Sequence, residues 1–325
     1  MDSLSLIKLP IEAEFATFVE RFNQSMTHGD GLLSHALTHI RQRGGKRMRP
    51  MLTLLIAKNF GEVNEVTLNA AISLELLHTA SLLHDDVVDE SAERRGQPSV
   101  NASFNNKVAV LVGDYVLSTA LLHVSLTGNR FVLEALSRLG RSLASGELLQ
   151  LTNVQNPDFS EQVYYDVIQK KTASLFETCA VLACLSVGAT DTQVDKARFF
   201  GRSLGMMFQI CDDIFDYYDS REIGKPTGND MAEGKLTLPV LYALNNKPLQ
   251  SMITLARKVK AGTINSDEIA VLVEYTKQSG GIEYAERRMQ DFYDQSLVFI
   301  DECVTKAEIR DSLVTYLDYV MKRHY

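Results

Sequence analysis

Apolar residues recur along this chain at the three- and four-residue spacing of a helix face almost throughout, and no run alternates apolar with polar between hairpin turns. The pattern predicts an all-α protein. Breakers cut it into roughly a dozen helices: Pro50 near a helix start with Gly61 past its end, Gly128-Asn129, Pro157, Gly188, the stretch 224–228, Pro248, Gly262 and Gly280-Gly281. Thr190-Asp191-Thr192-Gln193 has the form of a capping box, and Asp158 with Glu161 is a looser version. The predicted helices around 67–89, 107–126, 162–188 and 195–219 are apolar on most of their circumference, which suits the middle of a bundle or a subunit interface. The longest apolar run, Val108 to Leu126, contains Asp114 and His123, and it is expected to be a buried core helix rather than a membrane span.

Against this apolar background one acidic pattern occurs twice. Asp85-Asp86-Val87-Val88-Asp89 ends one apolar stretch, and Asp212-Asp213-Ile214-Phe215-Asp216 ends another. Residues i and i+4 share a helix face, about 5–6 Å apart at Cβ, so Asp85 with Asp89, and Asp212 with Asp216, would each present like charges in one direction. Divalent cations would compensate them. An all-oxygen set suits Mg²⁺, which takes one or two carboxylates, several waters and substrate phosphates. Solvated helices often carry one such run; two copies, each after an apolar stretch, predict a metal cluster built from two facing helices.

Composition adds limits. No Pro/Ser/Gly-rich linker divides the 325 residues, so a single domain over 1–325 is expected, and 45% apolar content is ordinary for a globular core. Cys179, Cys184, Cys211 and Cys303 show no CxxC spacing and fit a reducing compartment. The N-terminus, with Asp2, Lys8 and Glu12 among its apolar residues, lacks a signal-peptide core and transit-peptide composition, which predicts a cytoplasmic protein. A net charge of −8 argues against general nucleic-acid binding while leaving room for a locally basic pocket.

Such basic residues stand near the glycines and the pentads. Gly44-Gly45-Lys46-Arg47-Met48-Arg49-Pro50 precedes a helix whose free N–H groups, together with three cations, suit an anion. Arg94-Arg95-Gly96 follows Asp89, Lys170-Lys171-Thr172 opens an apolar helical run, and Lys225 and Lys235 lie beyond Asp216. Each cluster alone fits a solvated helix end; together they outline two anion subsites, one bridged by metal to the aspartates and one held by arginine and lysine. His78, seven residues before Asp85, shares its helix face.

The series GGKRMRP, HTASLLHDDVVDESAERRG, KKTASLF, FQICDDIFDY and GKPTGNDMAEGKLTLP, in this order, resembles the trans-isoprenyl diphosphate synthases, especially medium- and long-chain members such as heptaprenyl and octaprenyl diphosphate synthases, from about residue 30 onward. The resemblance implies an all-α isoprenoid-synthase bundle around a central deep apolar cavity, usually homodimeric. It implies addition of isopentenyl diphosphate to an allylic diphosphate, giving an all-trans polyprenyl diphosphate of the kind used for quinone side chains, with transient membrane contact for product release. By matching positions, Asp85, Asp86, Asp89, Asp212, Asp213 and Asp216 would hold Mg²⁺, three ions per site with substrate bound. Arg94, Lys171, Thr172, Gln209, Lys225 and Lys235 would hold the allylic diphosphate, and Lys46, Arg49, His78 and Arg95 isopentenyl diphosphate. The catalytic weight would fall on Asp85, Asp89, Asp212, Asp213, Lys171 and Lys225. Family members with bulky aromatics at the fourth and fifth positions before the first pentad make short products; here those positions are Ser81 and Ala80, so a longer tail is expected, with Ala80, Ser81 and Leu77 as chain-length residues and Ser73 and 117–125 nearby.

Alternatives are a shorter-chain farnesyl or geranylgeranyl diphosphate synthase, a non-catalytic subunit, and an HD-type phosphohydrolase built on His84-Asp85. The last needs further histidines on neighbouring helices, and only His78 and His123 lie near apolar ones. A terpene cyclase is disfavoured by the full second pentad. The role of Asp219 has no assignment.

Overall fold

The computed structural model describes residues 2–42, 44–94, 96–154, 158–218 and 227–322, and these are helical almost throughout. Two compact units can be distinguished, one of Met1–Gly140, Leu175–Gly201 and Phe299–Tyr316, the other of Arg141–Ser174, Arg202–Val298 and Leu317–Tyr325.

In the first unit the Glu65–Val88 helix carries the first pentad at its end. Asn64 starts it with a capping box: its side chain accepts the Thr67 N–H, while the Thr67 hydroxyl accepts the Asn64 N–H. Thirteen of its residues are buried, because Ala, Leu and Ser alternate so closely that few faces are polar. It packs chiefly along the Asn106–Leu126 helix. There the Ser73 hydroxyl donates to the Ala120 carbonyl at 2.7 Å, and Gly113 leaves room for the His84 ring. The 106–126 segment is a helix as expected but not a core helix: only about a third of its apolar window is buried, and Leu111 (67% exposed), Leu122 and Leu126 face outward. Its apolar circumference serves a surface, which periodicity alone does not distinguish from a core. A two-residue antiparallel ribbon, Glu93–Arg94 with Gln97–Pro98, is a second departure from the all-helical expectation. Gly96 at φ +74° supplies its turn.

In the second unit the Leu238–Asn246, Gln250–Lys260 and Ser266–Gln278 helices pack together, and Tyr242 stacks on Tyr284 at 4.2 Å. The helix predicted over 162–188 is three segments: an α-helix Glu161–Ile168, a π-helical stretch Gln169–Ala173 and an α-helix Ser174–Ser186. Ser160 rather than Asp158 caps the first, its hydroxyl accepting the Val163 N–H. The Thr190 capping box forms with Gln193 as expected and starts the Asp191–Phe215 helix, which ends within the second pentad. The four cysteines are free.

Candidate active site

Each pentad closes a helix, and in each the carboxylates divide by surroundings. Asp85 and Asp89 reach solvent, the latter as the helix C-cap. Asp86 is 1% exposed and accepts from Arg94 Nε at 2.5 Å, a buried charge whose cation the ribbon holds in place. In the second unit Asp212 is half-buried, whereas Asp213 is buried and accepts from the Tyr164 hydroxyl at 2.5 Å and from Gln209 Nε2 at 2.8 Å. Asp216 lies past the helix end, and its two oxygens accept the N–H groups of Asn229 and Asp230 at 2.9 and 3.1 Å. It therefore holds the start of the short Asn229–Ala232 helix.

Burial and the charge of Asp230 push the Asp213 carboxyl well above the ordinary range, opposed by its two donors. Asp230, raised first by burial and then by Asp216, is pushed up to about 7, while Lys235 pulls it down.

A cavity of about 260 Å³ in the second unit brings together Lys171, Thr172, Gln209, Asp213 and Lys235, five of the residues expected from sequence. Thr172 donates to Gln209 Oε1 at 2.6 Å, which continues the chain of hydrogen bonds to Asp213 and Tyr164. Lys171 rests between Glu147, at 2.7 Å, and Gln150, at 3.0 Å, and Lys235 on Glu233 at 2.6 Å. The cavity wall also includes Tyr164, Gln150 and Lys260, none of which has a motif to announce it, and Asp230, which lies within the GKPTGNDMAEGKLTLP stretch but was given no role. Lys260 donates to the Asp158 carbonyl at 2.9 Å, and burial lowers its pKa. A helical residue one heptad before Lys171 was the available signal for Tyr164.

In the first unit a smaller cavity of about 70 Å³ is lined by Gly44, Gly45, Arg47, Glu75, His78, Asp86 and Arg94 among others. His78 lines it, and so does Arg94, which the resemblance had grouped instead with the allylic-diphosphate residues of the second unit's cavity. Lys46 is exposed and Arg49 stacks 5.0 Å over the Phe176 ring; of the loop's three cations it is Arg47, which the resemblance left out of the isopentenyl diphosphate set, that lines the cavity. Arg47 adopts φ +48° and lies 4.3 Å over Phe22. Ala80 and Leu77 are buried and Ser81 is half-buried, its hydroxyl donating to the His78 carbonyl. Arg95, Asp219 and Lys225 lie outside the described residues.

Among the described residues no three His, Cys, Asp or Glu side chains form a ready-made cage for a metal. The donors of each unit taken by itself nevertheless suit a hard cation: Asp85 and Asp89 in the first, and the half-buried Asp212 in the second, leave room for the waters and phosphate oxygens that Mg²⁺ retains.

Residues 30–276 match the family model described as polyprenyl synthetase. The chain is 35% identical to octaprenyl diphosphate synthase of Escherichia coli, over 95% of this chain and 94% of that one. It is 33% identical to heptaprenyl diphosphate synthase component 2 of Geobacillus stearothermophilus, over 96% of each. Among solved structures, geranylgeranyl pyrophosphate synthase from Bacteroides thetaiotaomicron superposes with a TM-score of 0.88 at 51% identity, over 99% of this chain and 100% of that one.

Proposed function

The chain belongs to the polyprenyl synthetase family of metal-dependent prenyltransferases, and on that premise we propose that it adds isopentenyl diphosphate units head-to-tail to an allylic diphosphate, releasing an all-trans medium- or long-chain polyprenyl diphosphate. The observation that carries this reading is the second unit's cavity, where two lysines, Thr172 and Gln209 meet a buried acidic residue in a space suited to a diphosphate.

In this reading Asp85, Asp89 and Asp212 would hold Mg²⁺, which when bound would supply Lewis-acid stabilisation of charge on the departing pyrophosphate. Asp86, Asp213 and Asp216 fix the surrounding frame through Arg94, Tyr164 and the 229–230 backbone. Lys171, Lys225 and Lys235 neutralise the same leaving group directly, with Thr172 and Gln209 orienting it. Diphosphate binding has to draw Lys171 off Glu147. Lys46, Arg49, His78 and Arg95 hold isopentenyl diphosphate, whose double bond attacks C1 of the allylic cation. The resulting tertiary cation loses its proton to the departing pyrophosphate. Apolar walls keep water from the cation.

Small side chains at Ala80 and Ser81 support the longer product. The 51% identity to a geranylgeranyl pyrophosphate synthase supports a second reading, a C20 product from the same site. The exposed Leu111, Leu122 and Leu126 support a partner subunit, which we take to be a second copy of the chain acting in the cytoplasm, with brief membrane contact as product leaves. Mg²⁺-dependent incorporation of labelled isopentenyl diphosphate by the purified chain, abolished by chelator, tests the reaction. Pyrophosphate release without incorporation would overturn it.

A further inference from the structure

The π-helical stretch Gln169–Ala173 carries both Lys171 and Thr172, and it is seated against two glycines. A π turn is wider than an α turn and recurs at functional sites. A Cβ placed on Gly146 would stand 2.9 Å from both Lys170 Cβ and Lys171 Cγ and 3.3 Å from the Lys171 nitrogen. A Cβ on Gly205 would collide with the Ala173 Cα and come within 3.0 Å of its Cβ. Both glycines lie well inside long helices, Arg130–Val154 and Asp191–Phe215, where glycine is destabilising relative to alanine. They lie where the wide turn comes closest.

The groups that the turn presents then bond beside those same glycines. Lys171 reaches Glu147 and Gln150, one and four residues after Gly146. Thr172 reaches Gln209, one helical turn after Gly205, and Gln209 passes the bond to Asp213. We propose that Gly146 and Gly205 are positioning residues: by admitting the π turn between their helices they set Lys171 and Thr172 at the cavity wall, at the depth needed to receive the allylic diphosphate. This rests on the function proposed above.

Steady-state kinetics with each substrate varied test it, using Gly146→Ala, whose closest conflicts are with Lys170 Cβ and Lys171 Cγ, and Gly205→Ala, whose closest conflict is with the Ala173 backbone. Gly146→Ala is expected to fold and to raise the KM for farnesyl diphosphate at least about tenfold, with the KM for isopentenyl diphosphate within about twofold of wild type. Added to Lys171→Ala it should raise the farnesyl diphosphate KM little further, because coupled residues are non-additive. Should Gly205→Ala not fold, Gly146→Ala alone decides. An unchanged farnesyl diphosphate KM, an equal rise for both substrates, or full additivity with Lys171→Ala would each overturn the assignment. A wild-type chain that makes no product at all would instead overturn the function on which it rests.

Discussion

The Tyr164 hydroxyl donates to Oδ2 of Asp213 at 2.5 Å, joining the helix before the π turn to the helix of the second pentad. Tyr164 is 6% exposed, so its removal leaves Asp213 with one buried donor fewer. Leaving a buried polar atom without its hydrogen bond costs about 1–3 kcal/mol. Tyr164→Phe is therefore expected to lower the urea midpoint and to reduce turnover. Wild-type turnover in a destabilised Tyr164→Phe protein would show that Asp213 needs no such alignment.

The division of each pentad into solvent-reaching and buried carboxylates predicts two classes of variant. Asp85→Ala, Asp89→Ala and Asp212→Ala should each lose at least about 10²-fold in turnover, as removal of a principal transition-state contact does. Their stability without metal should be unchanged or raised, since crowded charge is relieved. Asp86→Ala should instead lower the melting temperature, because Arg94 loses its partner. Turnover and metal-free melting curves on the four proteins check this.

Much of this was legible in the chain. Both pentads and the capping box at Thr190 follow from spacing, and the cavity group of Lys171, Thr172, Gln209 and Lys235 from the family resemblance that the motifs carry. The roles of Asp86, Asp213 and Asp216 were not, because a motif counts aspartates alike while Arg94, Tyr164 and the 229–230 backbone distinguish them. The π turn leaves no periodic signature over five residues, and the exposure of Leu111 and Leu126 looks in sequence like burial.

Asp230 gives a pH-dependent prediction. Its folded pKa of about 7 lies above the unfolded carboxylate value of about 3.9. The folded state thus binds the proton more tightly, and this group's contribution to stability falls as pH rises from about 4 to about 7, staying low above that. Asp230→Asn removes the penalty. Without metal, its melting temperature should exceed that of wild type at pH 8, with a smaller excess at pH 5. An excess that is equal at both values would assign the effect to something other than ionisation.

Ala80 is 1% exposed on the Glu65–Val88 helix, one turn before the first pentad. In the proposed reading the growing tail runs past this position, so an aromatic ring there, in Ala80→Phe, should shorten the product. Overpacking a filled core typically costs about 1–3 kcal/mol, so melting temperature is measured alongside product length. Unchanged length in a folded variant would move the determinant to Ser81, Leu77 or the 117–125 segment.

Mass spectrometry of the dephosphorylated products made by this chain alone, supplied with Mg²⁺, farnesyl diphosphate and excess isopentenyl diphosphate, tests the central claim most directly. The account predicts a series of all-trans alcohols rising in five-carbon steps and ending well beyond C20. A series that stops at C20 would contradict the long-chain reading, and farnesol without any extension would contradict the synthase itself.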